Sequence, residues 1–577
     1  MKVELINENF KDNYLFNLLN ARGVENINAY LNPKDYLLND FKLLKNIDEG
    51  IELLDEILNK DNSKIFLVID ADVDGFTSSA IFYNYIKKYK PDQYIDYALH
   101  EHKEHGLQDH IDNIINNDIL YDLICLPDSS SNDYEFHEKL KEIGSKCLIL
   151  DHHEIDKDQL ISDNAIIINN QLSPYYPNKD LTGAGVTWQF CRAHGIKHGN
   201  NYWEELIDLA ALGICGDMGS ILDLENRYIM IKGFNSIKNY FFKCAIDKQS
   251  YSMGGEVNPI SVAFYIVPMM NALIRVGTMS EKERLFIGLT DGTRLIPCNK
   301  RGAAGTEEEA AIESLRECTN AKAKQTRITD QMAEAIEQKI YKNDLLSNKI
   351  LFIRLDDEDN YPPEITGLCA MRTSAKFKHP TLIGRLNSEG INKGSIRNVP
   401  DCELTDLKLF LNESGFFNFV QGHPNSAGFS IDNNKLSSFH EYANEVLKDI
   451  DFNEGIYKVN FIRNGYDNDI IKLIFDICKY PSVWGQNCSE PLIYIDNLYI
   501  TKEDIQIIGQ NKDTIKIEKN GVCYIKFKAN DMITELKNYK DIKLSFVGKA
   551  NINKYRGEET PQIFIDNYEI EDSLFSF

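Results

Sequence analysis

Asp70, Asp72 and Asp74 occupy alternate positions in KIFLVIDADVDGFTSS, residues Lys64 to Ser79, and Gly75 follows them. Carboxylates spaced in this way offer hard oxygen ligands to a divalent cation. The string Asp-x-Asp-x-Asp-Gly also opens a calcium loop of the EF-hand type, which needs a bidentate Glu at its twelfth position. The twelfth position here is Ile81. The preceding run, Ile65-Phe66-Leu67-Val68-Ile69, is apolar throughout, as in a strand buried on both faces, and does not suit a helix–loop–helix. In a parallel α/β sheet ligands bind beyond the carboxyl ends of the strands. The strand is therefore expected to deliver its acids to the usual place for chemistry.

Two further apolar runs end in the same way. Tyr121 to Asp128 reads YDLICLPD, and Lys146 to His153 reads KCLILDHH. A fourth run, Ala165 to Asn170, has no terminal acid. Helix-compatible segments, Ser78 to Lys88 and Asp133 to Ile143 among them, separate the runs, and alternating strand and helix implies a parallel sheet. Asp208 to Ile221, DLAALGICGDMGSI, begins helically and then turns at a fourth acid, Asp217. The candidate metal ligands are therefore Asp70, Asp72, Asp74, Asp128, His152 and Asp217, with Asp151 and His153 beside them as catalytic candidates. One imidazole among carboxylates favours Mn²⁺ or Mg²⁺ over zinc, which draws on Cys or several His. A set of this size suits two ions about 3.5–4 Å apart, the arrangement that clamps the attacking and leaving oxygens of a phosphoryl centre. The residues alone thus point to a two-metal phosphoesterase.

The whole chain sets bounds on this reading. Its 577 residues are enough for about three or four domains. Net charge is −25, which argues against a generic basic nucleic-acid coat but leaves room for a local basic groove. Twelve cysteines are scattered singly with no C-x-x-C pair, as expected for reduced cytosolic thiols and a cytoplasmic location. The N-terminus lacks an apolar h-region, and no membrane association is expected.

Taken together, DADVDGFTSS, Asp128 after its strand, the literal Asp151-His152-His153 and Asp217 resemble the four motifs of the DHH phosphoesterase superfamily. Within it the chain is similar to the RecJ branch of single-strand-specific exonucleases. Thr182-Gly183-Ala184-Gly185-Val186 resembles the family's Gly-Ala-Gly-Val segment, and Pro268 to Arg275, PMMNALIR, resembles its Pro-Arg-Ile-Asn motif. Gly394-Ser395-Ile396-Arg397 and Gly422-His423 resemble the signatures of the DHH-associated domain, and Trp484-Gly485-Gln486-Asn487 the start of the RecJ-type OB domain. Met269 and His100 stand where relatives carry arginines near the nucleotide path, while Arg275 matches the second arginine of its motif.

The resemblance implies an α/β fold in which a parallel-sheet DHH domain (61–277) is joined through an insertion and a long helix (278–345) to a smaller α/β DHH-associated domain (346–445). An N-terminal helical cap (1–60) would precede it, and an OB-like β-barrel (455–577) would follow. Thr306 and Glu309 form a capping-box pattern at the start of the long helix. Gly394 to Arg397 reads locally as a small-residue turn able to nest a phosphate. Ser395, Arg397, Arg275, Gly422, His423 and His100 are the candidate substrate contacts. In the barrel, Lys549, Lys554, Tyr555 and Arg556 are candidates for stacking and electrostatic contact. The expected activity is 5′→3′ hydrolysis of single-stranded DNA to mononucleotides with two Mn²⁺ or Mg²⁺ ions, in repair, recombination or replication. RNA and short oligonucleotides stay open as substrates, and protein partners are not visible. Two other functions fit less of the chain: a phosphodiesterase on short oligonucleotides or cyclic dinucleotides, and a non-catalytic replication or repair scaffold.

Overall fold

Five strands build one parallel sheet: β1 (Lys64–Ile69), β2 (Tyr94–Leu99), β3 (Leu123–Pro127), β4 (Lys146–Asp151) and β5 (Ala165–Asn169). The structure is a computed structural model that describes residues 1–102, 105–155, 159–303, 305–356, 361–400, 402–452, 456–539 and 541–572. The spatial order is β2-β1-β3-β4-β5, with every pairing parallel. The interior strands are covered on both faces, which is why they are nearly continuous apolar runs. The edge strand β2 carries Asp96 and is only partly buried, so it lacks that signature. The order reverses between β1 and β3. This makes their carboxyl ends the topological switch point, where a crevice for ligands opens.

The helices that frame the crevice are α1 (Ile47–Asn59), α2 (Val73–Tyr89), α3 (Gly183–Lys197), α4 (Ile207–Gly216) and α5 (Val267–Val276). The stretch Pro259–Val276, which ends in α5, is long and apolar enough by composition to cross a membrane. More than half of it is buried inside the protein, so its apolarity serves the core. All twelve cysteines are free thiols.

The chain divides into two compact units. One holds Asn28–Gln325 with Ser482–Ser489, and the other Met1–Ile27, Thr326–Pro481 and Glu490–Phe577. The expected helical cap of residues 1–60 is thus shared between them. Its first strand, Lys2–Leu5, pairs in parallel with Ile456–Val459. Buried Arg463 holds this N-terminal segment through Asn9 Oδ1 at 2.7 Å and the Phe10 carbonyl at 2.6 Å. The long helix α6 (Ala310–Lys342) has 33 residues, about 50 Å. The capping box expected from Thr306 and Glu309 does not form. Instead Glu307–Glu309 pairs as a short strand with Leu295–Pro297, which takes those residues out of helical geometry.

In the second unit β6 (Leu351–Leu355), β7 (Thr381–Leu386), β8 (Ile391–Arg397), β9 (Phe417–His423) and β10 (Ser426–Asp432) form a sheet in the order β9-β10-β8-β7-β6. Gly394 to Arg397 is therefore not a turn. It is the end of the central strand β8, hydrogen-bonded on both sides. Gly394 is required because a Cβ there would lie 2.6 Å from Gly384 Cα. A seven-stranded sheet follows, in spatial order Phe461–Asn464, Leu492–Thr501, Asp541–Tyr555, Glu558–Asp572, Val522–Lys526, Thr514–Lys519 and Ile505–Ile508.

Candidate metal centre

The three acids of the first motif reach the crevice by different routes. Asp70 follows β1 directly and is buried, with Oδ2 2.6 Å from His105 Nδ1. Burial raises its carboxyl to about 6 against the pull of His105. Asp72 is the N-cap of α2 and accepts from the Gly75 N–H at 3.1 Å. Asp74 lies inside the first turn of α2, not at the strand end. Its carboxylate meets the N-terminus of α3, accepting from the Thr182 hydroxyl at 2.9 Å, the Gly183 N–H at 2.7 Å and the Ala184 N–H at 3.1 Å. Free N–H groups and the helix dipole favour a carboxylate at this position.

Asp128 ends β3 with φ of 71°, in the left-handed region that Asp tolerates better than most residues. Burial, then the charges of Asp74, Asp72, Asp70 and Asp217, push its carboxyl well above the usual range. Gly183 is necessary beside it, because a Cβ there would lie 2.6 Å from Asp128 Cβ and would collide with the carboxylate. His152 Nε2 lies 3.2 Å from Asp128 Oδ1, 3.5 Å from Asp217 Oδ2 and 3.9 Å from Asp74 Oδ2. Asp217 is the C-cap of α4.

These side chains form adjoining ligand sets: Asp70, Asp72 and Asp128 in one, Asp74, His152 and Asp217 in another, and Asp128, His152 and His153 in a third. Within each set the ligand atoms lie within 4.8 Å of one another. Asp70 Oδ1 and Asp128 Oδ1 are buried and accept no hydrogen bond from the described residues. Buried carboxylates that repel one another and lack donors need cations. The oxygen-rich donor set with one imidazole fits Mn²⁺ or Mg²⁺.

Asp151 is not among these sets. Its Oδ1 accepts from the N–H groups of His152 and His153 and lies 2.8 Å from His153 Nδ1, while Oδ2 accepts from the Ser131 N–H at 3.1 Å. Burial would raise this carboxyl, but the hydrogen bond with His153, both imidazoles and Ser131 together lower it. In return the hydrogen bond with Asp151 raises the His153 imidazole to about 9 despite burial. Asn169, at the end of β5, donates to the His153 carbonyl at 3.0 Å and supports the same turn. Asp151 thus holds the His153 ring at Nδ1 while lying outside the ligand sets.

The family model for the N-terminal domain of the DHH family matches residues 64–214, and that for the RecJ OB domain matches residues 469–567. A protein of Bacillus subtilis (strain 168), named as an SPbeta prophage-derived single-strand DNA-specific exonuclease, YorK, is 36% identical over 99% of this chain and 98% of its own length. The chain belongs to the DHH family, in its RecJ-type branch. The single-stranded-DNA-specific exonuclease RecJ of the same organism is 24% identical, over 96% of this chain and 68% of its own. The crystal structure of RecJ in complex with Mn²⁺ from Thermus thermophilus has the same fold, with a TM-score of 0.71 at 19% identity, covering 96% of this chain and 76% of that one.

Within this RecJ-type frame the predicted substrate residues divide. Arg275, on α5, is half-buried; burial lowers its pKa against the opposing pull of the Asp72 charge. His100 is 2% exposed and packs on His110 with ring centroids 4.5 Å apart. Burial lowers it to about 4, so it is a neutral core ring, not an exposed stand-in for an arginine. Met269 is also buried. In the second unit Arg397, Ser426 and His423 are directly opposed across β8, β10 and β9, and Ser395, Gly428 and Gln421 form the next such row. The two DHH-associated signatures thus meet at one end of one sheet. The Arg397 guanidinium lies over Gly367 of the helix Thr366–Phe377, where a Cβ would come 2.7 Å from Nη2. His105 was not among the predicted ligands. It stands in a segment without periodicity, and only its contact with Asp70 reveals it.

Proposed function

We propose that this chain is a two-metal-dependent exonuclease that hydrolyses single-stranded DNA from the 5′ end to mononucleotides. The observation that carries this reading is the buried cluster at the switch point, where the Asp128 carboxylate adjoins both the Asp70–Asp72 pair and the His152–Asp217–Asp74 group. Mn²⁺ or Mg²⁺ ions held by these side chains would activate a water and offset the charge on the phosphoryl oxygens and leaving group. His153, protonated near neutral pH through its bond with Asp151, supplies a cation to hold a phosphate oxygen and a proton close to the leaving group. Arg275 adds a second positive charge beside Asp72. Arg397 and Ser395, with His423 in the same row as Arg397, offer a guanidinium and a hydroxyl for a terminal phosphate.

The relatives' names support a single-strand DNA substrate, and the RecJ OB domain suits an extended strand better than a dinucleotide. The test is product length on strands labelled at either end, comparing single-stranded DNA, duplex DNA and RNA with Mn²⁺ or Mg²⁺. Mononucleotides released in order from the 5′ end of single-stranded DNA are expected. Internal fragments, or activity confined to dinucleotides, would refute the reading.

A further inference from the structure

The C-terminal end of α3 carries a cluster that the nuclease reaction does not use. His194 and His198 are four residues apart, and the His198 N–H still bonds the His194 carbonyl at 3.1 Å, so both rings leave one face of the helix. Asp55, on the neighbouring α1, brings one oxygen between them. Its Oδ1 lies 3.1 Å from His194 Nε2 and 2.8 Å from His198 Nε2. Three ligand atoms from two helices thus converge on one point.

From these residues we infer a site for a borderline divalent transition ion of the Zn²⁺ class, held by His194 Nε2, His198 Nε2 and Asp55 Oδ1, with water completing the shell. Two imidazoles and one carboxylate are the donors such ions select, and Mg²⁺ does not. With metal–ligand bonds of about 2.0–2.1 Å, tetrahedral ligands stand roughly 3.3 Å apart. The two His–Asp distances need to lengthen by only a few tenths of an ångström, and the two imidazole nitrogens lie within 4.8 Å of each other. Lys197 Nζ takes the other carboxylate oxygen, Oδ2, at 2.9 Å. It sets the direction of Oδ1, although its charge opposes a nearby cation. Tyr85 Oη lies 2.7 Å from His194 Nδ1 and can accept a hydrogen bond from Nδ1–H, the tautomer that leaves Nε2 free to coordinate. Tyr89 closes one side, edge-on to the His194 ring at 5.0 Å. His194 is fully buried and His198 partly open, so an ion can enter from solvent.

The ion would tie α1 to the helix whose other end supports Asp74, and it is separate from the carboxylate centre. Equilibrium dialysis of the full chain against micromolar Zn²⁺ with Mg²⁺ in large excess tests it, with bound zinc measured by atomic emission. One zinc per chain is expected in the wild type and also in Asp128→Ala. His198→Ala should bind zinc at least about 10–100-fold more weakly, since losing even an outer partner of a ligand costs that much. His198→Cys supplies another donor and should retain the ion. A wild type that takes up no zinc under excess Mg²⁺, a His198→Ala protein that holds as much as wild type, or a folded His198→Cys protein that holds none would overturn the inference.

Discussion

At the scale of single residues the centre works against the stability of the protein that contains it. Asp128 is buried among Asp70, Asp72 and Asp74, and without cations its ionised form is disfavoured. A carboxyl whose folded pKa lies above its unfolded value destabilises the fold at neutral pH. Asp128→Asn should therefore stabilise the metal-free protein by about 0.5–2 kcal/mol, seen as a raised Tm in chelator, while removing the gain in Tm on adding Mn²⁺. Asp151 acts differently. Asp151→Asn should lower kcat by about 10–100-fold with metal content unchanged, because it loosens His153 without removing a ligand. Paired metal analysis and kinetics would expose an error, since a loss of bound metal would place Asp151 in the centre itself. Most of these residues could be picked out from the sequence because each ends an apolar run or sits in a small-residue turn. His105 could not, because nothing local ties it to Asp70. The burial of His100 leaves no local trace, because a histidine near a strand end looks the same in sequence whether it faces solvent or, as here, packs on His110.

At the scale of elements the clustered acids depend on one helix terminus. The N-terminus of α3 binds Asp74 through two backbone N–H groups and Thr182, and Gly183 lets it approach Asp128. Gly183→Ala should cost about 1–3 kcal/mol through the forced displacement of Asp128. It should also weaken Mn²⁺ binding, measurable by calorimetry; an unchanged Mn²⁺ affinity would mean that this contact does not set the ligand geometry. The interior strands are legible because burial on both faces leaves a continuous apolar run, and the long helix because burial on one stripe leaves a periodic one. The edge strand β2 leaves none, since half of it faces solvent. The end of β8 looks like a turn because its glycine and serine are turn formers. Its pairing with β7 and β10 depends on residues far along the chain, and that long-range pairing overrides local preference.

At the scale of the whole molecule the order of the chain and its division into units differ. Residues 1–27 belong with the C-terminal half, through the strand pair Lys2–Leu5 with Ile456–Val459 and the anchor at Arg463, a partnership invisible to local pattern. Removing the C-terminal sheet would therefore also strip the N-terminal segment of its support, so point changes give cleaner tests. Tyr555 is 62% exposed at the end of the long hairpin, with Arg556 over its ring at 5.1 Å. Tyr555→Ala should weaken binding of long single strands by about 1–3 kcal/mol, the range for one base–aromatic stack, and leave dinucleotide turnover unchanged. Equal affinity for long strands in the variant would assign the hairpin another role.

The proposed reaction assigns hydrolysis to the cluster around Asp128. The most direct test is single-turnover release of nucleotide from 5′-labelled single-stranded DNA in Mn²⁺, comparing wild type with Asp128→Ala at matched folding. Labelled mononucleotide is expected from the wild type and none above background from the variant. A variant that releases mononucleotide at near wild-type rate would contradict it.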